Sequence, residues 1–270
     1  MISIASGIFF VASAHAVVGG PSADLADSLV DVSFAASDGT MLRGWFGASG
    51  DGRHGVILLH GYRGDRTHMI DRARFLMSNG YSVLLYDARG CGESDGDLVS
   101  IGYHETNDLI AAVALMHDRG VDRLACLGVS QGGATVLLAS GRLDSIACVI
   151  VESTYDRIEN AIDRRFRHYL ALPGSIGSVL MIPVAEQRLG ITASRIAPID
   201  SLRSLHAPIL VISGENDTRT TAEDTRHLFA AAHEPKELWI VPGADHENLY
   251  AYAPDEYTRR VLAFLDAHIE

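Results

Sequence analysis

Ser130 stands in Gly128-Val129-Ser130-Gln131-Gly132, directly after the apolar run Leu124 to Leu127. A serine hydroxyl is a weak nucleophile near neutral pH. It needs a base within hydrogen-bond reach and a third group to orient that base. An apolar run, then Gly-x-Ser-x-Gly, then small residues from Ala134 to Ser140, is the pattern of a strand-to-helix nucleophile elbow. Gly128 and Gly132 let the backbone close up around the serine. The best base is His246, in the small-residue loop Pro242-Gly243-Ala244-Asp245-His246. The best acid is Asp217, in Ser213-Gly214-Glu215-Asn216-Asp217, with Asp245, Glu215 and Glu152 as competitors. A tetrahedral intermediate needs two N–H donors. Gln131, after the nucleophile, and Tyr62, after His60-Gly61, are placed to supply them from the backbone. His60 reads as a structural histidine that fixes the Gly61–Tyr62 loop rather than as a second base.

Asp87, Arg89 and Ser94 form a polar cluster among glycines. Gly90-x-Gly92-x-x-Asp95 lacks the third glycine and the Lys-Ser/Thr pair that phosphate loops require, so the cluster reads as a turn network supporting the site. The twelve histidines show no metal-ligand spacing. Neither a metal nor an organic cofactor is expected. The net charge is −12 with no Lys/Arg run, which excludes a nucleic-acid surface. Cys91, Cys126 and Cys148 make an odd set with no Cys-x-x-Cys, so no disulfide framework is expected.

The elements that must position these groups are legible in the hydrophobic pattern. Val30 to Phe34 and Leu42 to Phe46 alternate as a hairpin. Apolar strand-like stretches follow at Val56–Leu59, Val83–Tyr86, Leu124–Val129, Ile146–Val151, Ile209–Ile212 and Glu237–Val241. Such runs fit strands buried on both faces. Helical patterns lie between them at about 67–79, 103–119, 221–232 and 255–268. Strands alternating with helices predict a mostly parallel sheet of eight strands with helices on both faces. His60, Asp87, Ser130, Glu152, Asp217 and His246 all fall just after a strand, where such sheets build their sites. The alternation stops at about 155–205, where Ile158, Ala161, Ile162, Phe166 and Leu170 fall at helical spacing. This stretch is expected to form a small helical cap inserted in a domain spanning 21–270.

Residues 1–20 are an apolar segment, and Met1 to Val18 carries no charged side chain. Ala14-His15-Ala16 has the form of a small-residue cleavage site. The expectation is a signal peptide or a membrane anchor, and hence an exported or membrane-associated protein. The competing reading is an apolar helix packed on a cytoplasmic domain.

With these residues placed, residues 28 to 270 resemble the α/β-hydrolase superfamily. The likeness rests on His60-Gly61-Tyr62, on Tyr86-Asp87-Ala88-Arg89-Gly90-Cys91-Gly92-Glu93-Ser94, and on the elbow. Ser213-Gly214-Glu215-Asn216-Asp217 and Gly243-Ala244-Asp245-His246 complete it, in the order Ser, Asp, His. Gly102-Tyr103-His104-Glu105 adds a likeness to bacterial Bem46-like and prolyl-oligopeptidase-like hydrolases. Cys91 departs from that pattern, where a larger residue is expected. The resemblance implies an α/β-hydrolase fold and a serine hydrolase acting on a small-molecule ester. A peptidase, thioesterase or acyltransferase using the same triad, or a non-catalytic binding module, are the rival readings.

Overall fold

The computed structural model describes residues 11–170, 175–246 and 248–269. Ten strands are described: β1 (Ala14–His15), β2 (Val30–Ala35), β3 (Met41–Gly47), β4 (His54–Leu59), β5 (Ser82–Tyr86), β6 (Cys91–Gly92), β7 (Arg123–Val129), β8 (Ile146–Glu152), β9 (Ile209–Gly214) and β10 (Lys236–Val241). The principal helices are α1 (Ile70–Ser78), α2 (Glu105–Asp118), α3 (Gln131–Leu138), α4 (Ile158–Leu170), α5 (Ser175–Leu189), α6 (Ala222–Ala231) and α7 (Pro254–His268). Eight strands form one sheet in the order β10-β9-β8-β7-β4-β5-β3-β2. The six strands from β10 to β5 are parallel, and β3 and β2 add an antiparallel edge.

The burial pattern explains why the central strands carry no polar alternation. Side chains of a strand point alternately to the two faces, and here helices cover both. Val56, Leu58, Ala125, Leu127, Ile150 and Leu210 face α1 and α7. Ile57, Leu59, Cys126, Val149, Val151 and Val211 face α2 and α3. Shortening a fully buried leucine such as Leu58 to alanine in such a layer costs about 2–5 kcal/mol.

Between β8 and β9 the chain makes the helical pair α4 and α5. Their close approach explains Gly177, because a Cβ there would meet the Phe166 ring. A third apolar cluster joins this pair to the main domain through Val11, Cys91, Ile101, Ala134 and Tyr155.

The N-terminal expectation lies partly outside the described residues. Val11 is helical, and from Ala12 to His15 the chain is extended. β1 pairs in parallel with β6. Ala14 N–H donates to Gly90 O at 2.6 Å and Ala16 N–H to Gly92 O at 3.0 Å. Arg63 Nη1 donates to Ala12 O at 3.0 Å. The Gly90 and Gly92 carbonyls, which follow β5, favour an extended segment over a helix. Among the described residues no helix is long and apolar enough to cross a membrane.

Candidate active site

Ser130 sits between β7 and α3 with φ 53° and ψ −109°. A non-glycine residue held there stores on the order of 1–3 kcal/mol of backbone strain. Two features over-determine the turn. Ser130 N–H donates to Glu152 O at 2.7 Å, and Ala134 N–H to Ser130 O at 3.0 Å. The flanking glycines have no room for a side chain. A Cβ on Gly128 would strike the Gly132 backbone, and one on Gly132 would strike the carbonyls of Leu59 and His60. Gly61 lies against the serine, its hypothetical Cβ 3.7 Å from Ser130 Cβ.

Asp217 and His246 come together after β9 and β10. Asp217 Oδ2 lies 2.7 Å from His246 Nδ1. The carboxylate only accepts, so this contact places the proton on Nδ1 and leaves Nε2 with its lone pair. Asp217 is 3% exposed. Burial pushes its carboxyl up, but the bonds and charge from His246 and Thr220 outweigh this and hold it below the ordinary carboxylate range. No hydrogen bond joins Ser130 Oγ to His246 among the described residues. Catalytic contacts of this kind tighten when substrate binds.

The competing acids are occupied elsewhere. Asp245 accepts from the N–H of His246 at 2.7 Å. Glu215 Oε2 accepts from Gly243 N–H at 3.0 Å. Glu152 is locked by Arg72, at 2.9 Å from Nε and 2.6 Å from Nη2. Tyr257 also donates to it.

Gln131 is the first residue of α3, so its N–H has no acceptor within the helix. Tyr62 follows His60-Gly61, whose geometry is set by both ring nitrogens of His60. Nδ1 donates to Gly61 O at 2.8 Å, and Nε2 accepts from Ala88 N–H at 3.0 Å. Burial holds this imidazole below the usual histidine range. It is a neutral brace with no lone pair to spare. Asp87 continues the brace, accepting from Arg66 N–H at 2.7 Å, Arg66 Nη1 at 2.6 Å and Glu93 N–H at 2.9 Å. Arg89 binds Asp108 through Nε at 2.9 Å and Nη2 at 2.6 Å, and Asp38 through Nη1 at 2.7 Å. Neither Asp87 nor Arg89 joins Asp217 and His246.

Two features escaped the sequence. Thr220 Oγ1 donates to Asp217 Oδ2 at 2.6 Å and lies 3.2 Å from His246 Nδ1. Its N–H and that of Arg219 each donate to Asp217 Oδ1 at 2.8 Å. The Asp-x-x-Thr spacing in a loop was the available signal, because an aspartate there commonly accepts from backbone N–H groups just ahead of it. The second is a ligand spacing that the histidine pattern did not give. Asp224 and His227, one turn apart on α6, meet Asp156 with candidate ligand atoms within 4.8 Å of one another. Arg164 already pairs with Asp224 there, so the chain supplies its own counter-charge.

A parallel sheet ending in a serine elbow, followed in order by an Asp-His pair, defines a class. The sequence profile of the alpha/beta hydrolase family matches residues 56–260, and the chain belongs to that family. It is 26% identical to the Bacillus subtilis protein YqkD over 233 residues, covering 83% of this chain and 75% of that one. The Penicillium polyketide transferase GrgF is 26% identical over 284 residues, covering 88% and 96%. Its crystal structure superposes with a TM-score of 0.71. The Pyrococcus furiosus esterase Pf2001 superposes with a TM-score of 0.81 at 24% identity, over 97% of this chain and 99% of that one. A second crystal form of that esterase gives 0.78 at 25% identity.

Proposed function

We propose that the protein is a serine hydrolase that cleaves small-molecule carboxylic esters through an acyl-enzyme. Ser130 Oγ attacks the ester carbonyl while His246 Nε2 takes its proton. Asp217 holds the imidazole by Nδ1–H and stabilises the imidazolium that forms. The N–H groups of Gln131 and Tyr62 receive the oxyanion. Collapse expels the alcohol, protonated by His246. Water, deprotonated by the same nitrogen, then attacks the acyl-enzyme and releases the acid. The residues need no metal or cofactor for any of these steps.

The observation that carries this reading is the 2.7 Å Asp217–His246 bond at the same sheet edge as the strained Ser130 elbow. Likeness to an esterase supports the ester bond as the target. The apolar third cluster, which takes in Ala134 of α3 and packs against Tyr62, suits an acyl chain. A fluorophosphonate probe tests the nucleophile: wild type is labelled and Ser130→Ala is not. The same substitution lowers kcat by about a million-fold. Hydrolysis of p-nitrophenyl esters of increasing chain length, with an aminoacyl anilide alongside, tests the substrate. Turnover of the anilide without any ester would overturn the ester assignment.

A second reading, acyl transfer to an acceptor other than water, draws on the likeness to the polyketide transferase. Product analysis in the presence of added alcohols separates the two. The N-terminal segment is read as a membrane anchor or export signal. An uncleaved anchor suits the β1–β6 pairing better, since cleavage after Ala16 would remove β1. The N-terminal mass of protein recovered from membranes tests this.

A further inference from the structure

We infer that Glu105 is a positioning residue that sets both the Gln131 oxyanion donor and one wall of the cavity beneath the helical cap. The inference rests on the serine hydrolase reading above.

Glu105 opens α2 and is 1% exposed. Among the described residues its carboxylate has no cationic partner. Four donors hold it instead. Oε1 accepts from Ser100 N–H at 2.8 Å and from Gln131 Nε2 at 3.3 Å. Oε2 accepts from Gly102 N–H at 3.0 Å and from the Ser100 hydroxyl. The N-terminus of α2 favours a negative charge at this place. A buried carboxylate is costly unless fully hydrogen-bonded, and this one spends its acceptors on two segments that meet at the site.

The first segment is the elbow. The Gln131 side chain is buried, and among the described residues its Oε1 has no partner. A flipped amide would set that oxygen against the carboxylate, so Nε2 faces Glu105. This single contact therefore orients the side chain whose own backbone N–H is the proposed oxyanion donor. The second segment is the turn at Ile101 and Gly102, which holds φ values of 54° and 100°. A β-branched residue is strained at positive φ and stays there only if its surroundings hold it. Glu105 does so by binding the N–H groups on either side of Ile101. The Ile101 carbonyl then accepts from Tyr155 Oη at 2.6 Å, and its side chain lines an apolar cavity with Val11, Ile158, Ile162 and Ile182. One carboxylate thus ties the oxyanion donor to the acyl side of the site.

The test compares Glu105→Ala, Gln131→Met and the double variant with wild type, on p-nitrophenyl acetate and octanoate. Gln131→Met keeps the backbone N–H and removes only the amide. Each single variant is expected to lower kcat on acetate about tenfold, a fraction of the loss of one oxyanion donor, with KM within about twofold. The double variant should be no slower than the slower single one, because both remove the same contact. The octanoate-to-acetate ratio of kcat/KM should fall about fivefold in Glu105→Ala and hold in Gln131→Met. Additive losses in kcat, or a change in KM alone, overturn the role. If Glu105→Ala does not fold by near-UV circular dichroism, Glu105→Gln takes its place in the same cycle. Wild type unlabelled by the fluorophosphonate overturns both this role and the hydrolase reading. Labelled wild type with additive variants overturns only the role of Glu105.

Discussion

Glu152 and Asp217 are two carboxylates of similar burial, at 1% and 3% exposure, one ending β8 and the other three residues past the end of its neighbour β9. Either could have reached an imidazole at this edge of the sheet. What separates them is the partner. Asp217 is held by a hydroxyl and two backbone N–H groups, all directional and uncharged, and so keeps its charge for His246. Glu152 is neutralised by a buried guanidinium that also reaches Asn248 Oδ1 at 3.1 Å, two residues beyond His246. Under the proposed mechanism one carboxylate is kept for chemistry. The other pins the loop that carries the base. Position in the fold makes a carboxylate a candidate, and the charge of its neighbours decides its use.

The largest test of this contrast is Asp217→Asn. The amide leaves the fold intact but favours the wrong histidine tautomer, and kcat should fall about 10⁴-fold in a steady-state ester assay. An equal loss in Glu152→Gln would erase the distinction. That variant should instead lower stability by about 3–5 kcal/mol, the cost of leaving Arg72 buried without its counter-charge. Chemical denaturation measures it, and kcat per folded molecule should stay within about tenfold. Thr220→Val removes one hydrogen bond from Asp217, worth about 1 kcal/mol, and should lower kcat about fivefold. A smaller effect is expected on the acid side. The native Asp217 carboxyl lies below its unfolded value, so its stabilising contribution is complete above the ordinary carboxylate range. It is lost as pH falls through the depressed native value. Asp217→Asn should therefore flatten the fall in unfolding free energy below about pH 4, and an unchanged slope would count against the ion pair.

Much of this was legible in the residues themselves. The eight sheet strands and the Ser, Asp, His order follow from local patterns: continuous apolar runs, glycines at a tight turn, and small residues in loops. Ser130 announces its strain because only a glycine-flanked turn admits it. The rest depends on residues far apart in sequence. Arg72 falls within the helical pattern at 67–79, and nothing near it in sequence shows that Glu152 lies opposite. Ala14-His15-Ala16 reads as a cleavage site because the carbonyls that accept from Ala14 and Ala16 belong to Gly90 and Gly92, far along the chain. Thr220 sat close to Asp217, yet a threonine in a polar loop carries little signal until the carboxylate's bonds are counted. Backbone pairing and buried charge pairing leave a weaker trace in one sequence than periodicity does.

The order of the strands has a consequence for the newborn chain. The elbow lies near the middle of the sequence, whereas the acid and the base follow β9 and β10, among the last elements made. A ribosome adding roughly 5–20 residues per second completes Ser130 on the order of ten seconds before His246. Through that interval the growing chain carries Ser130 without His246, its proposed base. Under the proposed mechanism a nascent polypeptide of this design cannot attack an ester until its final quarter has emerged and folded back.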